Sequence, residues 1–205
     1  MTKIHLYKND LPDHVVFKDA VAVDSETMGL KPYRDRLCLI QLSGGDGEAH
    51  LVQFDKDHYD APNLKALFAN PSIEKIFHFA RFDLQVIKYY LGVDCTPVYC
   101  TKMASKLCRT YTDKHGLRDL VAELLGIELD KEKQSSDWGA KDLTEEQQAY
   151  AANDVLYLHQ ARALLDQRIR REGRTELLTA INNFLPYRAD LDRLGWRDAD
   201  IFAHH

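Results

Sequence analysis

From Val21 to Thr27 the chain runs Val-Ala-Val-Asp-Ser-Glu-Thr, small and β-branched apolar residues interrupted by two acids. This pattern predicts a strand buried on at least one face. The turn Met28-Gly29-Leu30-Lys31-Pro32 follows, and Arg36–Gly45 reads as the next strand. Asp46-Gly47 then marks a hairpin into the apolar run before Phe54. A short strand and turn lead in over residues 4–20, punctuated by Leu11-Pro12-Asp13. Asn63 is a candidate cap for a helix that stops near Pro71. Glu74–Phe79 reads as a strand feeding a helix that ends at Gly92, where Phe82, Val86, Tyr89 and Tyr90 keep helical spacing. The segment from Thr96 to Cys108 gives a fifth strand and a helix, and another helix follows from Gly116. From Leu143 the pattern is helical almost to the end. Hairpin strands, then alternating helix and strand, then helices, make an α/β protein with a mixed five-stranded sheet and a helical C-terminal part.

Residues two apart on a strand share a face, so Asp24 and Glu26 project together. Two desolvated carboxylates side by side repel, and a divalent cation such as Mg²⁺ or Mn²⁺ resolves the conflict. Further acids are sought on other elements. Thr144-Glu145-Glu146-Gln147 has the form of a capping box and opens a helix running to about Arg171. On it Asp154, Leu158, Ala161, Leu165 and Ile169 lie on one ridge, with Tyr150 one turn before Asp154. Asp83 begins the helix after the Glu74–Phe79 strand, where a strand end opens onto a crevice. Each feature alone also fits a solvated edge strand, a core tyrosine or a helix-start acid. Their joint placement favours a site.

Composition narrows this little. The 205 residues, 45% apolar and 29% charged, suit one domain over 1–205, with a core at about 20–170 and a helical extension at about 171–205. No apolar run long enough for a membrane span occurs, the start lacks a signal-peptide core, and the four cysteines show no metal spacing, all pointing to a cytoplasmic protein. The formal charge of −5 excludes a general duplex-coating protein but not a nuclease with few phosphate contacts.

With Asp24-Ser25-Glu26, Asp83 in His-Phe-Ala-Arg-Phe-Asp, Tyr150-Ala-Ala-Asn-Asp154 and Gln134-Ser-Ser-Asp-Trp138 in view, the chain resembles the DEDD-type 3′–5′ exonucleases with a motif tyrosine, in the ribonuclease D branch. Over nearly its whole length it resembles the short nano-RNase C group of α-proteobacteria. The stretch after residue 170 does not read as the HRDC-type helical region of longer ribonuclease D proteins, in keeping with a short substrate. The resemblance implies a ribonuclease H-like fold, two divalent metals (Mg²⁺ or Mn²⁺), hydrolysis of very short RNA such as 5′-phosphorylated dinucleotides, and a homo-octamer. It further implies that Asp24 bridges both ions, that Glu26 and Asp154 complete the water-activating site, that Asp83 serves the second ion, and that Tyr150 orients the water.

Substrate contacts are open in both directions. Met28 and Leu30 either wedge against bases or serve as turn residue and core leucine, and His78 and Phe79 either meet the nucleotide or pack. Gln134, Ser135, Ser136 and Trp138 offer donors and an aromatic face in a loop, against the more common reading of a lone tryptophan as packing. Arg162, Arg168, Arg170, Arg171 and Arg174 read as a solvated face or subunit contact ahead of a nucleic-acid channel, and the apolar tail is expected to pack on its own domain or a neighbouring subunit. Alternatives are a broader exonuclease trimming longer RNA or DNA, an inactive nucleic-acid-binding homologue, and a metal-binding protein that is no nuclease.

Overall fold

A computed structural model describes residues 2–129 and 136–204. Six strands form one mixed sheet: β1 (Lys3–Lys8), β2 (Ala20–Thr27), β3 (Leu37–Ser43), β4 (Glu48–Gln53), β5 (Glu74–Phe77) and β6 (Val98–Cys100). Their spatial order is β1-β4-β3-β2-β5-β6. The expected five strands become six because the lead-in segment pairs parallel to β4, with His5 opposite His50, and supplies an edge. Strands β2, β3 and β4 form the antiparallel meander that the hairpin signals predict, while β5 and β6 add to β2 in parallel.

The helices are α1 (Pro62–Ala69), α2 (Ala80–Leu91), α3 (Thr101–Cys108), α4 (Leu117–Leu125), α5 (Glu145–Leu156), α6 (Leu158–Arg171) and α7 (Thr175–Leu191). Alternation along β2 divides them between two faces. Val21 and Val23 meet Leu64, Phe68, Leu84 and Ile87 of α1 and α2. Ala22, one residue out of phase, meets Ala104 of α3, Ala152 and Val155 of α5, and Leu158 of α6. Small residues on this second side let α5 approach the strand that carries Asp24 and Glu26.

The capping box at Thr144 forms as read: its hydroxyl accepts from Gln147 N while the Gln147 side chain accepts from Thr144 N. The helix it opens breaks at Tyr157 rather than running unbroken to Arg171. Helix α1 departs from expectation more instructively. Asn63 lies inside the helix, and the Asp10 carboxylate, far off in sequence, accepts from the backbone of Asn63 and Leu64 at 2.9 and 3.0 Å. Of the arginine stretch, Arg162 and Arg168 pair with Glu74 and Glu123, Arg171 with Glu172, and Arg174 binds the Leu107 carbonyl. Arg162, Arg168 and Arg174 thus tie their own fold together, while Arg171 pairs with its chain neighbour on an exposed surface. The tail divides: Leu185 and Ala189 of α7 are buried, while Phe184, Leu194, Trp196 and Phe202 are exposed. No described helix is long and apolar enough to cross a membrane.

Candidate active site

Strand β2 reaches its C-terminal end at a register shift between Glu26 and Thr27. Such a bulge bends a strand and re-aims its side chains. Just before it, Asp24 and Glu26 share the face that α5 covers, and there Asp154 meets them. One carboxylate oxygen from each of the three lies within 4.8 Å of the others. Asp83 arrives from the opposite side. Phe79 turns the chain sharply from β5 into α2 with a left-handed backbone (φ 76°), which sets Asp83 in the first turn of the helix. Its buried carboxylate accepts the Ser25 hydroxyl at 2.6 Å. Because Ser25 alternates with Asp24 and Glu26, one strand grips acids from both layers. Gln41, wholly buried and directly across from Asp24 on β3, directs its amide nitrogen at Asp24 Oδ2 from 3.4 Å.

Electrostatics follow from this crowding. Burial pushes the Asp24 carboxyl up to about 7. Burial first, then Asp24, Asp154 and Asp83, push Glu26 well above the carboxylate range. Asp83 and Asp154 are raised by burial and by Asp24, with the Ser25 hydroxyl partly offsetting the rise at Asp83. Among the described residues no cation is a leading influence on these four carboxyls. An all-oxygen cluster of half-buried, mutually repelling acids fits a hard divalent ion such as Mg²⁺ or Mn²⁺.

A carboxylate raised in the fold contributes stability that is complete below its unfolded value near 4 and is lost as pH rises through its folded value. Metal-free protein is therefore expected to melt progressively lower as pH rises from about 4 to 7, the window between the unfolded and folded values of Asp24. His78 works the other way, since burial lowers it to about 3 and charging it costs stability below its unfolded value near 6.5. Melting curves in EDTA for the parent and for Asp24→Asn separate the two. The difference between them should shrink as pH falls, and a pH-independent difference would refute the assignment.

A cleft of about 420 Å³ opens over the acids, lined by Asp24, Glu26, Leu30, His78, Tyr150 and Asp154 together with Lys102 and Arg118. Tyr150 stands one turn before Asp154 on α5, and burial followed by Asp154, Glu26 and Asp24 raises its phenol. Its ring lies 6.0 Å from that of Trp138.

Leu30 is exposed on the cleft, against the core alternative. Met28 is also exposed, but its sulfur rests on Gly139, where any Cβ would collide with it. His78 lines the cleft while its Nδ1 pairs with the Thr101 hydroxyl at 2.9 Å. Phe79 is exposed with the Lys102 ammonium 4.3 Å from its ring centre, so it does not pack in the core. Trp138 is the clear correction: it is buried with Leu39, Leu51, Leu143 and Ala151, supporting Tyr150 instead of presenting a face to solvent. Ser136 is half-buried beside it, and Gln134 and Ser135 lie outside the described residues. Sequence reasoning missed Lys102, Arg118, Ser25 and Gln41. Lys102 was open to discovery, because it follows the C-terminal end of a parallel strand, where such sheets bind ligands.

Comparison with known proteins bears directly on this arrangement. A 3′–5′ exonuclease family profile matches residues 8–170. A ribonuclease D of Acidiphilium cryptum (strain JF-5) is 36% identical over 166 residues, covering 81% of this chain and 42% of its own length. The chain thus spans about two fifths of that curated relative. The solved structure of Brucella melitensis NrnC superposes with a TM-score of 0.97 at 51% identity over 100% of both chains. The same Brucella protein is also solved bound to pGG and, separately, with bound Mg²⁺. Escherichia coli RNase D superposes with a TM-score of 0.74 at 30% identity over 88% of this chain and 48% of that one. The fold is therefore the ribonuclease H-like one.

Proposed function

The chain belongs to the 3′–5′ exonucleases of the ribonuclease D and NrnC type, and from that premise we propose that it hydrolyses very short RNA, 5′-phosphorylated dinucleotides above all, to mononucleotides. The observation that carries this is the convergence of Asp24, Glu26 and Asp154 to within 4.8 Å at the floor of a small cleft. The pGG bound to the Brucella protein, half identical over its full length, supports the substrate length.

Asp24, Glu26 and Asp154 are the residues that would hold one divalent cation, and Asp83, whose carboxyl feels the Asp24 charge from the other side of the strand, would serve a second. A bound pair of such ions supplies water activation and neutralises charge at the leaving 3′ oxygen. The protein's own groups do the rest. Ser25 and Gln41 keep two of the acids in place. Tyr150 keeps its proton and donates it in a hydrogen bond that orients the attacking water. His78 is neutral at working pH and adds no charge to the cleft, whereas Lys102 and Arg118 supply positive charge for phosphate. Leu30, exposed on the cleft, would press on a base, and Met28, close to Leu30 in sequence, packs its sulfur on Gly139. We further propose one catalytic unit over 20–170 with a helical extension, a cytoplasmic location, and self-association, an octamer by resemblance, through surfaces that include the exposed tail residues Trp196 and Phe202.

A length series of 5′-phosphorylated RNAs tests the function. Turnover should be fastest on the two-mer, fall with length, and vanish in EDTA. Equal or faster degradation of long RNA or DNA would favour the broader trimming activity that the ribonuclease D relatives represent.

A further inference from the structure

Between β2 and β3 the chain leaves the acid-bearing strand, runs out beside the cleft and returns. Leu30, 76% exposed, stands at its tip and lines the cleft. An exposed leucine on a surface connection ordinarily samples many positions, and binding must then pay to order it. Here the order is built in. Met28 N donates to Arg36 O at 3.0 Å and closes the base of the loop. The Thr27 hydroxyl donates to Gly29 O at 2.5 Å, and Arg34 N and Asp35 N both donate to Lys31 O, at 2.9 and 2.8 Å.

At the centre sits a carboxylate that the catalytic acids do not explain. Asp35 is only 7% exposed and turned into its own loop. It accepts from Lys31 N at 3.0 Å and from the Arg34 guanidinium at 2.6 and 2.8 Å. Its oxygen also lies against Gly29, where any Cβ would overlap it. The Arg34 guanidinium, then the Lys31 amide, hold its carboxyl below the usual range, so the clamp stays charged wherever the enzyme works. Gly29 and Lys31 flank Leu30 directly, so one neighbour of the exposed leucine is bonded to the buried carboxylate and the other packs against it.

We propose that Asp35 is a positioning residue: it clamps the Met28–Arg36 loop so that Leu30 is held ready at the cleft, and so sets how tightly a short RNA is held without touching bond cleavage. This rests on the proposal that Leu30 meets the substrate. Arg34 acts through Asp35 and contributes to the same clamp.

The experiment is steady-state kinetics on a 5′-phosphorylated two-mer with Mg²⁺ for Leu30→Ala, Asp35→Asn, Arg34→Gln and the Leu30→Ala/Asp35→Asn double variant. Asp35→Asn should raise KM by about fivefold to tenfold with kcat within about twofold, the pattern of lost preorganisation. Arg34→Gln, on an exposed side chain that leaves the fold intact, should shift KM the same way by less. The double variant should be no worse than Leu30→Ala alone, and amide exchange at Lys31 and Asp35 should quicken in both single clamp variants. A parental KM in Leu30→Ala would overturn the substrate role of Leu30 and the clamp with it. A raised KM in Leu30→Ala beside a parental KM in both clamp variants, or full additivity in the double, would overturn the role of Asp35 alone.

Discussion

Asp24→Asn should lose at least about a thousandfold in rate on short RNA with Mg²⁺, and should melt higher than the parent once metal is removed. The rate loss follows from removing the one carboxylate that influences Glu26, Asp83 and Asp154 alike; several kcal/mol of charge stabilisation corresponds to about three powers of ten. The gain in stability follows from the same crowding. An amide carries no charge to desolvate, and its neighbours lose their main repulsive partner. Relief on the order of 1–2 kcal/mol would raise the midpoint by about 2–8 °C for a chain of this size. Tyr150→Phe should cost less, about tenfold to a hundredfold, because the phenol only orients what the acids and their ions activate. Rates in Mg²⁺ and melting curves in EDTA read both effects. A dead Tyr150→Phe beside an active Asp24→Asn would reverse the assignment, and a lower metal-free midpoint in Asp24→Asn would show that the acids are not in conflict.

Arg81→Leu is expected to give the largest loss of stability. Asp192, just after α7, has a side chain only 1% exposed and takes both prongs of Arg81 at 2.5 and 2.6 Å, with Gln85 at 2.9 Å and Arg188 at 3.1 Å. Arg81 sits in the first turn of α2, two residues before Asp83. Its loss leaves a buried carboxylate with reduced compensation, a cost of about 2–3 kcal/mol, or about 4–12 °C in the melting midpoint. The effect should reach the site as well, since the tie that docks α7 on α2 also sets the helix turn bearing Asp83. A weaker response of the midpoint to added Mg²⁺ would register this. A midpoint within about 1 °C of the parent would mean that Arg188 and Gln85 suffice.

The candidate site was largely legible before any coordinates. Asp24 and Glu26 are close by strand geometry, and the box at Thr144 sets the phase of Tyr150 and Asp154 on α5. The residues that failed to announce themselves act across distance. Asp10 caps α1 from outside it, and Gln41 meets Asp24 only because β2 and β3 pair in one register. Trp138 misled because a lone tryptophan in a polar loop reads alike whether it packs or stacks. Its burial depends on α5 and β3 closing over it.

Sequence alone therefore determined the elements, the acid positions within them, and the hard-ion chemistry that those acids call for. These rest on forces acting within a few residues: side-chain alternation, helical phase, end-capping and the chemistry of oxygen donors. Tertiary structure decided that Asp83 enters from the opposite layer through Ser25, that β1 becomes a sixth strand, and that Arg162 and Arg168 reach back to Glu74 and Glu123. Those outcomes depend on which segments pack together, and no local preference records a partner that lies dozens of residues away.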